Sequence, residues 1–308
     1  MSAVLSALRS PAVKVAFLIV AVFLGTYAVM ENRGELAEAL RELHGPAVIA
    51  SFIAGVLYIW CTMMSWRAVL TDFGSPLPLK AAVRLFGLSQ IGKYIPGGIW
   101  NFLAAAEMGA DHEIPRRRSV GAMAVSVLVS LMTGLALGAV AFVLSPADAL
   151  QRWEWLLIAT PLLMLMLLPP VMNRLIGVVL QVTRRPRLQQ PLTVPGLGRA
   201  IVWAVLAWLV AGAHVSFLAV NLGMSSSLRT WALGTAAYAL AWVAGFLVVI
   251  SPAGVGVREA VLGASLAGAG MSTGQVLALV LLSRFLLTLT DFAFAAAGLA
   301  SGRSRHPN

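Results

Sequence analysis

Six ionisable side chains sit inside or beside long apolar stretches: Lys93, Glu107, Arg258, Glu259, Arg284 and Asp291. A charge at membrane depth costs about 2.5–3.5 kcal/mol even on the lenient insertion scale, so each such group needs a partner or a task. Lys93 stands three residues before Pro96. Pro96 suits the first position of a half-helix, where no backbone donor is lost. The free N–H groups at that start, including those of Gly97, Gly98 and Ile99, would carry the positive end of the helix dipole. An ammonium beside them makes an anion site, and Gly97 and Gly98 let a bulky headgroup approach the backbone. The chemistry is capture of a lipid phosphate. The alternative is that Lys93 snorkels to the surface and Pro-Gly-Gly is an ordinary loop.

Arg258 and Glu259 follow a second turn, Ser251-Pro252-Ala253-Gly254-Val255-Gly256-Val257. Gly254 and Gly256 are its glycines and belong with Arg258 and Glu259 to the candidate site. Arg258 could clamp a phosphate with two parallel hydrogen bonds. Glu259 could fix Arg258, bind Lys93 or accept a proton; the alternative is a structural ion pair holding a broken helix. Arg284 and Asp291 are seven residues apart, so two helical turns place them on one face. Their partners must come from other helices, and Asp291 with Lys93 or Arg284 with Glu259 are the available pairings, for binding or for helix register. Glu107, close to Asp111, His112 and Glu113, reads as a wet surface group. Trp100 and Asn101 follow the first turn; they would touch a headgroup, or Trp100 would mark the membrane interface. His214 reads as a satisfied interior histidine.

The elements that position these residues follow from composition. Of 308 residues 59% are hydrophobic and 11% are Asp, Glu, Lys or Arg, with mean hydropathy +0.88. So little charge cannot cover a soluble fold of this length. That argues against a cytosolic enzyme, a nucleic-acid binder and a disordered regulator, and for an all-α, polytopic bundle of transmembrane helices. The net charge of +10 then belongs to loops rather than to nucleic acid. Cys61 is the single cysteine and the four histidines are scattered, so neither a disulfide nor a metal or other cofactor is expected.

About seven full spans are expected, at 12–30, 46–66, 119–144, 155–173, 200–220, 230–250 and 275–300, in a single transmembrane domain of residues 1–308. No signal-peptide cleavage site follows the first apolar run, which reads as a retained span. Residues 31–45 carry Leu36, Ala39, Leu40 and Leu43 at helical spacing and read as an interfacial helix. Arg9, Lys14, Arg67, Lys80, Arg84, Arg116, Arg117, Arg118, Arg174, Arg184, Arg185, Arg187 and Arg199 mark one side. The positive-inside rule makes it the cytoplasm, with the N-terminus there. The stretch 174–199 reads as a basic juxtamembrane segment.

Two Pro/Gly-interrupted segments, 81–110 and 251–272, break this pattern. A straight helix cannot run through Pro-Gly-Gly at membrane depth without losing backbone bonds, so 81–110 should be a re-entrant hairpin lining a cavity. With Pro96 set on Pro252, Gly98 falls on Gly254, Ile99 on Val255 and Ala104 on Ala260. This is a weak internal repeat, and paired interrupted segments mark transport sites. Loop charges put both interruptions on the cytoplasmic side and leave the tail, with Arg303 and Arg305, outside. A complete crossing by 252–272 would return the tail inside and make the repeat inverted.

No G-x-x-x-x-G-K-[ST] loop and no H-E-x-x-H occur, so nucleotide hydrolysis and zinc hydrolysis are not expected. The run Gly92-Lys93-Tyr94-Ile95-Pro96-Gly97-Gly98-Ile99-Trp100 resembles a signature of the lysylphosphatidylglycerol synthase transmembrane-region family, also called flippase-like domain proteins. Pro252-Ala253-Gly254-Val255-Gly256-Val257-Arg258-Glu259, followed by Arg284, is similar to its second signature. The resemblance runs essentially from the first span to the last. It implies a multi-pass protein of the bacterial inner membrane that moves an anionic phospholipid or a polyprenyl-phosphate-linked sugar between leaflets, in places beside a membrane glycosyltransferase. Some members carry a fused aminoacyl-transfer domain; none is expected within these 308 residues, nor is lysyl transfer. The rival readings are a non-catalytic scaffold for a glycosyltransferase or lipid synthase, and an intramembrane transferase using Glu259 or Asp291.

Overall fold

The computed structural model describes residues 11–95, 100–144, 155–182, 190–248 and 251–302. Twelve α-helices account for almost all of them: α1 Pro11–Glu31, α2 Arg33–Glu42, α3 Gly45–Asp72, α4 Leu79–Ile91, α5 Trp100–Ala110, α6 Arg116–Val143, α7 Trp155–Met166, α8 Pro169–Val182, α9 Val194–Asn221, α10 Leu228–Leu247, α11 Val257–Ala267 and α12 Thr273–Gly302. Five of them, α3, α6, α9, α10 and α12, are long and apolar enough to cross a bilayer. The chain is a multi-pass membrane protein. α1 occupies the place of the first expected span. The span expected at 155–173 is not straight: α7 and α8 meet at a 77° bend, because Pro169 and Pro170 open a new helix where α7 ends.

Apolar side chains remain on the outside at helical spacing, as a lipid-facing surface requires. On α12 Leu281, Phe285, Leu289 and Phe292 form such a stripe. Inside, helices approach through small residues and polar contacts, which replace a hydrophobic force that lipid does not provide. Gly87 of α4 lies against the backbone of Phe294, and Gly134 of α6 against the ring of Trp208. His214 is fully buried between Ser51 and Ser283, each hydroxyl 2.8 Å from a ring nitrogen, and so ties α9 to α3 and α12.

Hydrogen bonds between loops show which helix ends share a face. On the face that carries the basic loops, Arg118 donates to the Gly74 carbonyl (3.2 Å) and the Ser75 hydroxyl (3.1 Å). Asp72 there accepts the Thr193 N–H and hydroxyl, each at 2.7 Å, and Gly298 near the end of α12 packs against Arg84. On the opposite face the His44 N–H donates to Asn221 (2.9 Å) and the Gly274 N–H to Glu35 (3.0 Å). α2 is therefore more than an interfacial helix. It buries Leu36 and Ala39 against the start of α12 and caps that helix with Glu35, where a negative charge suits the dipole.

These contacts fix both interrupted segments. α4 starts and α5 ends at the basic face, and Gly92 lies so close to the Trp100–Asn101 backbone that a Cβ there would sit 2.6 Å from the Asn101 nitrogen. That is the expected re-entrant hairpin. The second segment enters from the opposite face, which corrects the loop-charge count. α10 descends from the opposite face, residues 251–256 turn back at depth, and α11 returns along α10 to the cleft between Leu222–Thr230 and Ala269–Gln275. Residues 252–272 do not cross; α12 does, and it ends at the basic face. The count failed because α10 is apolar and 20 residues long, so it reads as a full span whatever its connection does next.

The repeat is consequently inverted and extends well beyond the two turns. A shift of 156 residues sets the last residue of α4 on the last of α10, and the starts of α5 and α6 within one residue of those of α11 and α12. α3 and α9 are both 28 residues long and pack on each other as the largest helix contact. Across the repeat, α4 packs on α12 as α10 packs on α6. Inverted repeats of this kind place a site at mid-depth between the halves.

Candidate site between two opposed broken hairpins

The turn at Gly92–Tyr94 and the turn at Pro252–Gly254 are neighbours in the middle of the bundle. In the second, Ala253 has φ +50°, Gly254 φ +74° and Gly256 φ +84°. This left-handed run reverses the chain within a few residues, and glycine is at home in it where other residues are strained. Glu259 then locks the turn, since one carboxylate oxygen accepts the Gly256 N–H. Pro96, Gly97 and Gly98, proposed from the sequence as phosphate contacts, lie outside the described residues.

The charges at depth sort themselves into two pairs and one remainder. Lys93 lies 2.8 Å and 2.7 Å from the two oxygens of Asp291, and the Tyr94 hydroxyl donates to the same carboxylate at 2.6 Å. Asp291 is buried, with 3% of its side chain exposed, whereas Lys93 keeps 26% toward the cavity. Arg284 Nε lies 3.3 Å from the other Glu259 oxygen, and its Nη2 donates to the Ala253 carbonyl at 3.2 Å. Both pairings open from the sequence thus form, and Glu259 serves Arg284 rather than Lys93 or Arg258. Three cations face two carboxylates, which leaves one positive charge uncompensated among the described residues.

That charge is Arg258. Its Nε is buried and has no hydrogen-bond partner among the described residues. Its guanidinium lies 5.6 Å from the Trp242 ring centre, a cation–π distance. Two glycines make room for it. A Cβ at Gly245 would overlap the Arg258 Cγ, and one at Gly254 would sit 2.7 Å from Nε. Gly245→Ala is expected to push the guanidinium off Trp242 and to lower anion affinity about tenfold, and to cost about 1–3 kcal/mol of stability as well, because the atom it meets is Cγ, near the root of the Arg258 side chain. Titration of the purified variant with a short-chain anionic lipid checks this.

A cavity of about 310 Å³ runs from this charge layer toward the basic face. Lys93, Gly254, Arg258, Arg284 and Asp291 line it, so five of the proposed site residues meet there. Glu259 sits on a second space of about 30 Å³ on the far side of the layer, with Leu262, Val280 and Ser283. Arg258, Arg284, Tyr238, Trp242 and Leu287 border both spaces. Gly256 contributes its N–H to Glu259 and lines neither. Glu107 is exposed and forked by Arg116 at 3.0 and 2.7 Å, a surface group as expected.

Of the uncharged part of the site the sequence pointed to Asn101, which lines the cavity as expected, and missed most of the rest. Tyr94 was visible only as part of a motif. Trp242 and Gly245 look like any aromatic and any glycine of an apolar helix. Gln90, Asn101 and Ser126 also line the cavity, and among the described residues their side chains make no hydrogen bond. For Gln90 and Ser126 a polar side chain inside an apolar helix is the one signal that pointed to them; Asn101 was also marked by its place after the first turn.

A family model for the lysylphosphatidylglycerol synthase TM region matches residues 12–295. No curated protein matches the chain. The family match takes in both broken hairpins and every charge at depth, and the chain belongs to the lysylphosphatidylglycerol synthase TM-region family.

Proposed function

We propose that this member of the family is a translocator of anionic lipids: a flippase-like protein that passes a phosphate-bearing headgroup across the bacterial inner membrane while the tails stay in lipid. The observation that carries this reading is Arg258, a cation at membrane depth, without a carboxylate partner among the described residues, on the wall of a polar cavity between two opposed hairpins. An unneutralised arginine there is costly, and a lipid phosphate is the anion a membrane supplies. Lys93 and Arg284 flank it as a positive rim. The larger space extends toward the basic face and the smaller toward the opposite one, so a headgroup enters from the basic-face leaflet and must pass the Arg258–Arg284 layer. On the positive-inside rule that leaflet is cytoplasmic, as is the N-terminus.

The same geometry weighs against an intramembrane transferase. Both oxygens of Asp291 are held by Lys93 and Tyr94, and both of Glu259 by Gly256 and Arg284. Neither carboxylate is free to act as a base. The reading is tested by reconstitution into vesicles with fluorescent phosphatidylglycerol or a polyprenyl-phosphate sugar. Transbilayer movement is expected to accelerate with protein; equal rates with and without protein, for every anionic lipid tried, would sink it.

A further inference from the structure

The geometry points to α11 as the moving part of the protein: a gate on the opposite face, jointed at Gly256 and Gly270 and latched from inside by Glu259 on Arg284, with α5 as a fixed abutment. This deepens the translocator reading and rests on it for the purpose of the motion. A headgroup that reaches the Arg258–Arg284 layer from the basic face finds a space of about 30 Å³ beyond it. That is room for about two waters, far below the roughly 300 Å³ of the smallest ligand pockets. A wall of this space must move, and its walls are α10, α11 and α12. α10 and α12 are spans of 20 and 30 residues; the first packs on α6 and α9, the second on α2 and α4. α11 has 11 residues and packs on α10 and α12.

The two halves of the repeat hold their short helices differently. In the core the Ser119 hydroxyl donates to the Ala105 carbonyl at 2.7 Å and ties α5 to α6. At the basic face Arg118, the third residue of α6, clamps the α5–α6 connection onto the Gly74 carbonyl and the Ser75 hydroxyl. The third residue of α12 is Gln275, and Gly223 follows α9 as Gly74 follows α3, both with positive φ. Gln275 makes no such clamp. Its Oε1 accepts the Ser272 N–H at 3.0 Å and so caps its own helix. A cleft of about 460 Å³ lies between the two connections there, so the outer end of α11 is not braced against the α9–α10 connection. Among the described residues Glu259 with Arg284, at 3.3 Å, is the one ion pair or hydrogen bond from an α11 side chain to another helix. The Arg258–Trp242 contact lies beside the inner joint. Gly256 and Gly270, at φ +84° and +88°, bound the helix, and such end positions absorb the backbone rotation of a hinge.

Thiol labelling of the full chain tests this, with the single native cysteine first removed as Cys61→Ala. Leu262→Cys places a thiol on the inner side of α11, against the small space, and Ala106→Cys places one on the buried side of α5. Both should react slowly with a charged methanethiosulfonate while the latch is intact. Adding Glu259→Gln releases the latch, and it should raise the rate at the Leu262→Cys thiol about tenfold while leaving the Ala106→Cys thiol unchanged. An unchanged rate on α11 would overturn the inference. A rise at both thiols would overturn it too, because it would report loosening of the fold rather than opening of one helix. A second arm pins α11. Ser225→Cys and Ala269→Cys stand on the two sides of the outer cleft and are bridged by a reducible bis-methanethiosulfonate long enough to span it. In vesicles the bridge should stop transbilayer movement of fluorescent phosphatidylglycerol, and reduction should restore it. Movement that continues with the bridge closed overturns the gate. No movement before bridging removes translocation instead, and the labelling rates then decide on the motion of α11 alone.

Discussion

Arg258→Gln should abolish most of the affinity for an anionic headgroup while leaving the fold intact. The substitution shortens the side chain by two atoms and keeps a polar amide end, but removes the positive charge and three of the five N–H donors. A hydrogen bond to a charged group contributes about 1.5–3 kcal/mol, which corresponds to about 10- to 100-fold in the dissociation constant. Stability should hold or improve, since among the described residues Arg258 has no carboxylate to abandon and its Nε is already without a partner. This separates it from ordinary buried ion-pair mutations, which lose stability and binding together. Calorimetric titration with short-chain phosphatidylglycerol, together with thermal unfolding in detergent, reads both quantities. Wild-type affinity in Arg258→Gln would remove Arg258 from the site. A large drop in unfolding temperature would mean that its contact with Trp242 is structural.

The largest effect on stability is expected from Asp291→Leu. Removing one partner of a buried pair leaves an unpaired charge and typically costs about 3–5 kcal/mol. Here it strands the Lys93 ammonium and leaves the Tyr94 hydroxyl without its acceptor. Lys93 keeps 26% of its side chain exposed, so the lower end of that range applies. The double variant Lys93→Met with Asp291→Leu should recover most of the loss, because it removes both charges and fills the space with apolar groups. It should also still bind a singly charged lipid, since Arg258 keeps its positive charge. Thermal unfolding of the two single variants and the double variant gives the coupling between the residues. A double variant as unstable as Asp291→Leu would show that the pair is not what holds the α4 turn to α12.

The charges were readable from sequence because so few exist. In a chain this apolar a lone Lys or Arg inside a span has a small set of possible partners, and the two pairs that form were both among them. The two turns and their alignment were readable because proline and glycine leave a mark that hydropathy does not erase. The path of the chain between them was not. Hydropathy reports the composition of a segment, and 20 apolar residues look alike whether the chain exits afterwards or doubles back, as it does after α10. Nor was the bed of Arg258 readable. Gly245 is one of 28 glycines, and what distinguishes it is a side chain 13 positions later that returns to the same depth only after the chain has reversed.

The kinked pair α7–α8 acquires a meaning from parity. The unit α3–α6 crosses the membrane twice and begins and ends at the opposite face, because its hairpin does not cross. The unit α9–α12 likewise crosses twice, and it begins and ends at the basic face. Two even units joined directly would insert the same way up, as a tandem duplicate. Opposed orientation demands an odd number of crossings in the connector, and residues 144–193 contain α7 and α8 to supply one. The bent pair need not be a good helix, nor touch the site. Its work is to turn the second copy over, and a connector without it would leave both hairpins entering from one side, with no point at which their turns could meet.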